Sequence, residues 1–570
     1  MIQTILIFLG VLVALTILVN KSELVRNMLL ITDEDYDMDG TIQAMTVIKK
    51  VIIFFVLCVV IDLVIVYFTK WKWLEPYHIV FSFWGLALLG TLVKKQQTPK
   101  INKFEEATDS FIFRVQDDLK KIVLNNPFRG IFVSGGAGAG KSKSLIEPII
   151  QQAGAKNYAG IVYDFKFPTL AKEVAGSYAG SKVKPYYINF TDLSRSHLIN
   201  PIAPEYITNA IFARESAITI LTNIDAKAVQ KRDFWVQSAE SLLTGVIWYL
   251  RNNHPEYCTL PHVVSLIIET QPKKLIELLS TDDEVSGIIA SLRSAQDSEN
   301  TLAGMFATVQ NYLSVLNTKE NFWVLQNSQF SLKLNDPEAP KMLVVGNNDQ
   351  ISKSLSPIIA LIISTALKQM NQEGRAKSVV ILDEAPTINI PNFAQIPATA
   401  RANRIATVYA VQDIAQMEAE LGKQESEKIL ANLNSQFYGR TTNTATAERV
   451  SKLFGDYEKE IITRSDSKGK SVETFGDRES SKNRSISTTT QLRKVLEPAE
   501  LTRAGVGQFA CILAESNTTE FTGQFKAEHS KATPIESFLT VTEEKLKSNF
   551  KQIKEESKWI IEAPKKEGSI

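Results

Sequence analysis

Cysteine is scarce in this sequence: Cys58, Cys258 and Cys511 stand far apart along 570 positions. That spacing excludes a cysteine-ligated metal site and a disulfide framework, and it suits a reducing compartment. Net charge is almost missing too. With 63 Lys and Arg against 62 Asp and Glu, the chain carries only +1. Bulk electrostatics therefore argue neither for nor against a nucleic-acid partner. No internal repeat is present, so repeat architectures are excluded. The length leaves room for two or three domains.

Apolar residues are nearly absent from Ser465 to Gln491, which is crowded with Ser, Thr, Lys, Asp, Glu and Asn. A long mobile surface loop is predicted there. Elsewhere apolar residues are concentrated at the start of the chain. Residues 2–19 are interrupted only by Gln3, Thr4 and Thr16, and residues 51–68 only by Asp62 among charged groups. Residues 78–93 form a third, shorter stretch. As helices these are about 24–27 Å long, near the ~30 Å hydrocarbon thickness. Trp71, Trp73 and Tyr77 lie where an interfacial aromatic belt would sit. The first stretch lacks the basic start and the Ala-x-Ala site of a cleaved signal peptide, so a retained anchor is expected. The third reads as a span or as a buried or re-entrant helix. Asp62 is either a functional intramembrane carboxylate or a paired, solvated one. Lys94, Lys95, Lys100 and Lys103 follow at once, which places the remainder in the cytosol. Residues 1–95 are thus a membrane anchor of two to three helices.

Beyond residue 104, short apolar runs alternate with helical patterns. Strands are expected at 130–134, 159–164, 185–190, 341–346, 378–382, 406–411, 436–440 and 508–513. Several are apolar throughout, as in strands buried on both faces of a parallel sheet. An α/β core with a mainly parallel sheet follows. Residues 204–335 carry helical patterns and almost no strand signal, which predicts an all-α domain inserted between 96–203 and 336–532. The tail, 533–570, is charged and partly amphipathic, and reads as a short solvated or docking helix.

Gly135-Gly136-Ala137-Gly138-Ala139-Gly140-Lys141-Ser142 follows the apolar run Gly130–Ser134 and precedes a helical stretch. Strand, glycine loop and helix in that order form a phosphate-binding loop. Glycines let backbone N–H groups turn inward around phosphate oxygens. Lys141 supplies a cation for the β and γ phosphates, and Ser142 a hydroxyl for Mg²⁺. Both point to ATP as the ligand.

Far downstream, Val379-Val380-Ile381-Leu382 ends in Asp383-Glu384. Asp383 at a strand tip can orient a Mg²⁺-bound water, and Glu384, about 3 Å further on, can act as general base. Gln412 ends the next strand and is placed to sense the γ-phosphate. Arg401, Arg404 and Arg440 are candidate arginine fingers toward a neighbouring subunit.

Together these residues resemble the type IV coupling proteins of bacterial conjugation and secretion, the TraG/TraD-like ATPases in the FtsK/HerA-like branch of RecA-type motors. The resemblance is carried by Tyr163-Asp164-Phe165-Lys166, Asn200-Pro201, Phe234-Trp235, Ala385-Pro386 with Ala398-Thr399-Ala400-Arg401, Gln416 with Leu421-Gly422, Asn432 to Asn434, and Leu496-Glu497-Pro498-Ala499-Glu500-Leu501. It implies a RecA-like core, a homo-hexamer and a multi-pass position in the bacterial inner membrane. It also implies ATP-driven delivery of a relaxase-bound single DNA strand, or a protein effector, to the components of a type IV secretion channel. An ATP-binding scaffold without turnover is the reading from another class. The chain departs from the family in Phe167-Pro168, where a glycine-acid step is usual; two spans are typical of the family, so a third would be a further departure.

Overall fold

The computed structural model describes residues 105–117, 120–470 and 480–562. The three N-terminal apolar stretches lie outside them. Among the described residues no helix is long and apolar enough to cross a membrane.

The short strands β1 (Phe111–Arg114) and β2 (Lys121–Leu124) form an antiparallel pair. The chain then enters β3 (Ile131–Ser134), passes through the glycine loop, and starts a helix as a π turn over Ser142–Ile146 that continues as α1 (Glu147–Ala155). Next come β4 (Ala159–Asp164), α2 (Thr169–Ser177) and β5 (Lys184–Ile188). A run of helices follows, among them α3 (Ala210–Ile224), α4 (Phe234–Asn253), α5 (Leu260–Glu269) and α6 (Lys319–Leu325). The sheet resumes with β6 (Lys341–Gly346), then α7 (Ser352–Met370), β7 (Ser378–Leu382) and β8 (Ile405–Val411). Helices α8 (Ile414–Leu421) and α9 (Lys423–Asn432) lead to β9 (Ser435–Tyr438) and α10 (Thr444–Phe454). After β10 (Asp456–Lys470) and β11 (Ser480–Lys494) come β12 (Gln508–Ile512), β13 (Glu520–Gln524) and a last helix, α11 (Glu543–Glu562).

Nine strands make the main sheet, in the order β13-β12-β9-β3-β8-β7-β4-β6-β5. Pairing from β9 to β5 is parallel throughout, and β12 and β13 add an antiparallel edge. The residues explain why. Val379 and Ile381 of β7 pack into one core while Val380 and Leu382 pack into the other. Such strands need helices on both faces, and crossover helices make neighbours parallel. One face carries β1, β2, α1 and α2. The other packs against the helices between β5 and β6, whose apolar residues are continuous with that face of the sheet.

The eight expected strands are all present, within one or two residues of the anticipated bounds. Between β5 and β6 the described elements are all helical. The expected loop at 465–491 requires correction. Its described part belongs to an antiparallel ribbon in which β10 and β11 pair from Asp456 with Lys494 to Lys470 with Ser480. Hydropathy misses it because a two-stranded ribbon outside the main sheet is defined by main-chain pairing, which leaves no apolar period in the sequence.

The tail docks. Leu546, Asn549, Ile553, Ser557 and Ile560 recur at helical spacing and are buried. Glu556 accepts from or pairs with His262 of α5 at 3.0 Å, and Lys554 pairs with Glu269 at 2.6 Å. An extended strap precedes α11: Lys531 N–H donates to Glu173 and Thr533 N–H to the Lys172 carbonyl on α2, and Phe538 N–H donates to the Ser194 carbonyl. Ile553 is 2 % exposed. Replacing it by Ala should cost about 2–4 kcal/mol of the docking. The expected readout is faster amide exchange over 543–562 with the sheet unchanged.

Candidate nucleotide site

Parallel strands bring their C-terminal ends to one edge of the sheet, and the candidate groups converge there. Ser134 of β3 pairs with Val411 of β8, and Leu382 of β7 pairs with Tyr409 of β8. The glycine loop leaves β3 at this edge. Gly135 N–H donates to the Val411 carbonyl, and Gly136 N–H donates to the Arg440 carbonyl at 2.7 Å. Gly138 and Gly140 take φ of +75° and +96°, which L side chains rarely adopt. At Gly140 a Cβ would also stand 2.7 Å from the Gly507 nitrogen, in the segment that backs the loop. Gly507 N–H in turn donates to the Ala139 carbonyl at 2.9 Å.

Lys141 is 7 % exposed. Its Nζ donates to the Gly135 carbonyl at 2.6 Å and to Glu384 Oε1 at 3.1 Å. The loop lysine and the carboxylate beyond β7 therefore meet across β8. Glu384 itself sits in the left-handed region, φ +47°. Its carbonyl accepts from Thr387 N–H at 3.0 Å and from Thr387 Oγ1 at 2.7 Å. The Tyr163 hydroxyl lies 2.8 Å from Thr387 Oγ1 and accepts from Asn347 Nδ2 at 2.7 Å.

Burial pushes Asp383 up to about 6, the neighbouring Glu384 charge adds to this, and Lys141 and Lys166 oppose it. Asp164, at the end of β4, is fully buried. Burial lifts it to about 7, against the Ala171 N–H that donates to Oδ2 at 2.9 Å, while the Asp383 charge adds to the rise. Its Oδ1 is buried without a hydrogen-bond partner. Sequence reasoning saw Asp164 and Lys166 only as family marks, not as part of this charge cluster. The signal was partial: Asp164 ends a buried apolar strand and Lys166 follows it, but only the fold sets that strand beside β7.

Gln412 is exposed just beyond β8 and lines a cleft of about 520 Å³ with Gly136, Ala137, Asp413 and Arg440. Asp413 is fixed by Thr446 Oγ1 at 2.8 Å and caps α8 through Ala415 N–H. Arg401 and Arg404 lie elsewhere. Both precede β8, at the edge opposite the glycine loop. The Arg404 carbonyl accepts from Ser378 N–H at 3.0 Å, and Arg401 faces Glu515 at 4.0 Å. Within one chain neither reaches Lys141.

The residues fit a magnesium nucleotide. The loop has the two positive-φ glycines such a cradle needs, a buried lysine at its end, and the hard oxygen donors Ser142 and Asp383 close behind. Among the described residues no group of three or more His, Cys, Asp or Glu could hold a metal alone.

Raised carboxylates carry a pH signature. Between about pH 4 and the folded value near 7, the folded chain holds the Asp164 proton that the unfolded chain has lost. Stability must therefore fall as pH rises through that window. Asp164→Asn should flatten the decline in melting temperature of the nucleotide-free protein. Parallel pH profiles for the two proteins would refute the buried ionisation.

A family model described as the type IV secretion-system coupling protein DNA-binding domain matches residues 122–516, which include every group just described. No curated protein sequence matches the chain. Among solved structures, the bacterial conjugative coupling protein TrwBdeltaN70 in an unbound form is similar, with 15% identity, a TM-score of 0.57, and coverage of 76% of this chain and 92% of that one. The plasmid coupling protein TrwB with ADP and Mg²⁺ gives 16%, 0.54, 72% and 87%. TrwB with the non-hydrolysable ATP analogue ADPNP gives 15%, 0.53, 72% and 89%.

Proposed function

Because this chain belongs to the type IV secretion-system coupling proteins, we propose that it is a membrane-anchored ATPase that delivers a relaxase-bound DNA strand to a secretion channel. The observation that carries the ATPase reading is the Lys141–Glu384 contact at 3.1 Å, with Asp383 beside it. TrwB, which shares the fold, has been solved with ADP and Mg²⁺ and with ADPNP.

The residues divide the work as follows. The loop from Gly135 to Gly140 wraps the phosphates with backbone N–H groups. Lys141 leaves Glu384 for the β and γ phosphates, which offer it more negative charge than one carboxylate does. Glu384, released, accepts a proton from the attacking water as general base. Ser142 and Asp383 would hold Mg²⁺, which when bound neutralises charge on the phosphate oxygens. Gln412, in the cleft beside Gly136, contacts the γ-phosphate or its water. Arg401 and Arg404 stand at the edge opposite their own loop, so they act on the site of a neighbouring copy in a hexameric ring.

The apolar stretches at 2–19, 51–68 and 78–93 and the lysines behind them support anchoring in the bacterial inner membrane with the bulk of the chain cytoplasmic. The helical insert, far from the strand ends that take the nucleotide in sequence but packed on the same sheet, selects the cargo.

Two substitutions test the mechanism in the membrane-extracted full chain. Lys141→Ala should weaken ATP binding about 100-fold or more, since a buried charged partner is lost. Glu384→Gln should keep the affinity within a few-fold and lower kcat by roughly 10²–10⁴. Transfer that survives Glu384→Gln would favour the scaffold reading. Pull-down decides the cargo: salt-sensitive single-stranded DNA binding supports a DNA strand, and its absence at low salt supports a protein effector.

A further inference from the structure

The loop that carries Glu384 is gripped from two sides, and one grip comes from the helical insert. Asn223, in the last turn of α3, pairs with the backbone of Asn389 at both edges: its Nδ2 donates to the Asn389 carbonyl at 2.6 Å, and its Oδ1 accepts from Asn389 N–H at 2.8 Å. The residue is itself fixed. Its Nδ2 also reaches the Thr219 carbonyl at 2.9 Å, and its own carbonyl accepts from Ser356 of α7 at 3.4 Å. Asn389 lies five residues beyond Glu384 on the segment 384–392. That segment contains two non-glycine residues in left-handed backbone, Glu384 at φ +47° and Asn392 at φ +59°.

From the sheet side, Thr387 holds the Glu384 carbonyl and is itself held by the Tyr163 hydroxyl, which Asn347 Nδ2 fixes in turn. Between the two grips the packing is open. A cavity of about 260 Å³ is bounded by Ala385, Ile388, Asn389, Phe393 and Tyr409, with Gln230 facing it from the insert. A strained loop beside a void has somewhere to go, because a close-packed interior would otherwise hold it in place. On the insert side the two Asn223 bonds hold the loop's backbone at Asn389, beside that space.

We propose that Asn223 is a positioning residue through which the helical insert sets the placement of Glu384, and so couples what the insert binds to the rate of hydrolysis. This rests on the ATPase reading above. Asn223 touches neither nucleotide nor reacting water; it acts through the backbone of the Glu384 loop. A cargo that shifts the end of α3 would loosen or tighten this grip, and by linkage the state of the nucleotide site would alter cargo affinity.

The test uses membrane-extracted full-length protein with the Asn223→Ala, Asn223→Asp and Thr365→Val variants. Thr365→Val is the control: Thr365 Oγ1 ties α7 to the Pro201 carbonyl, just ahead of the insert, and spends its hydrogen bond there and not on the loop. Asn223→Asp keeps the acceptor for Asn389 N–H and turns the donor into a repelling oxygen, so it serves if the alanine variant does not fold. Expected for either Asn223 variant is a kcat at least about 10-fold lower with KM for ATP within about twofold, the pattern of a lost transition-state arrangement. Amide exchange over 384–392 should rise about 10-fold while the phosphate loop and α1 stay unchanged. Thr365→Val should lower the melting temperature and leave kcat as it is. Unchanged exchange over 384–392, or faster exchange with unchanged kcat, overturns the proposal. Failure of the ATPase reading has its own signature: the unmodified chain would release no phosphate, and the proposal would fall with it.

Discussion

The contact between Lys141 and Glu384 organises this molecule. It joins residues 243 positions apart, and here a parallel sheet with its strand tips on one edge brings them together. β3 delivers the lysine through the glycine loop, β7 delivers the acid, and β8 lies between them at a register fixed on both sides. A shift of one residue in either pairing would turn alternate side chains to the opposite core and move the tips relative to each other. The apolar sequences of these strands therefore do more than fill a core: they set where the charges stand.

Placing charge there has a consequence for the groups around it. Asp164, Asp383 and Glu384 crowd the tips of adjacent strands, with Lys141 and Lys166 as the cations in reach. Both aspartates are lifted by burial before any neighbour is considered. A buried, under-compensated carboxylate cluster attracts a cation, and its own fold supplies too little positive charge to satisfy it. Clusters of perturbed carboxylates of this kind gather at functional sites, because folding alone would select against them.

Much of this was legible in the residues. Glycine spacing, the apolar run before it and the acid pair after β7 carry their chemistry in local order, so motif and period sufficed. The helical insert was visible because 204–335 lacks strand signals. Other features depend on partners that no local pattern names. The ribbon of β10 and β11 is defined by main-chain pairing, which hydropathy does not register, so its described part read as loop. Asp164 reads as an ordinary strand-end residue until β4 is placed beside β7. Asn223 reads as a polar residue ending a helix, yet its partner, 166 positions away, is a backbone group in the Glu384 loop. The direction of Arg401 and Arg404 likewise follows from where β8 begins in the sheet, which the spacing of arginines does not encode.

Three attachments decide how the insert can behave. Its apolar residues belong to the same core cluster as Phe132, Tyr163, Val345 and Leu382 of the sheet, so no independent core separates it. The strap after β13 crosses α2, passes Ser194 and ends in α11 against α5 and α6. Asn223 closes the third attachment at the Glu384 loop. Domains joined by a linker and a small polar surface are expected to move freely. A body that shares its core with the sheet and is tied again by the C-terminal strap cannot swing without disturbing the face of β7. Its motion must then be small, and the cavity beside residues 385–393 is where the Glu384 loop has room to follow it. The same segment that backs the phosphate loop at Gly507 leads, through β12 and β13, into the strap. Nucleotide site and insert are thus connected twice, once at the Glu384 loop and once through the C-terminal end of the chain, and a change at either one reaches the other through packed groups instead of a flexible tether.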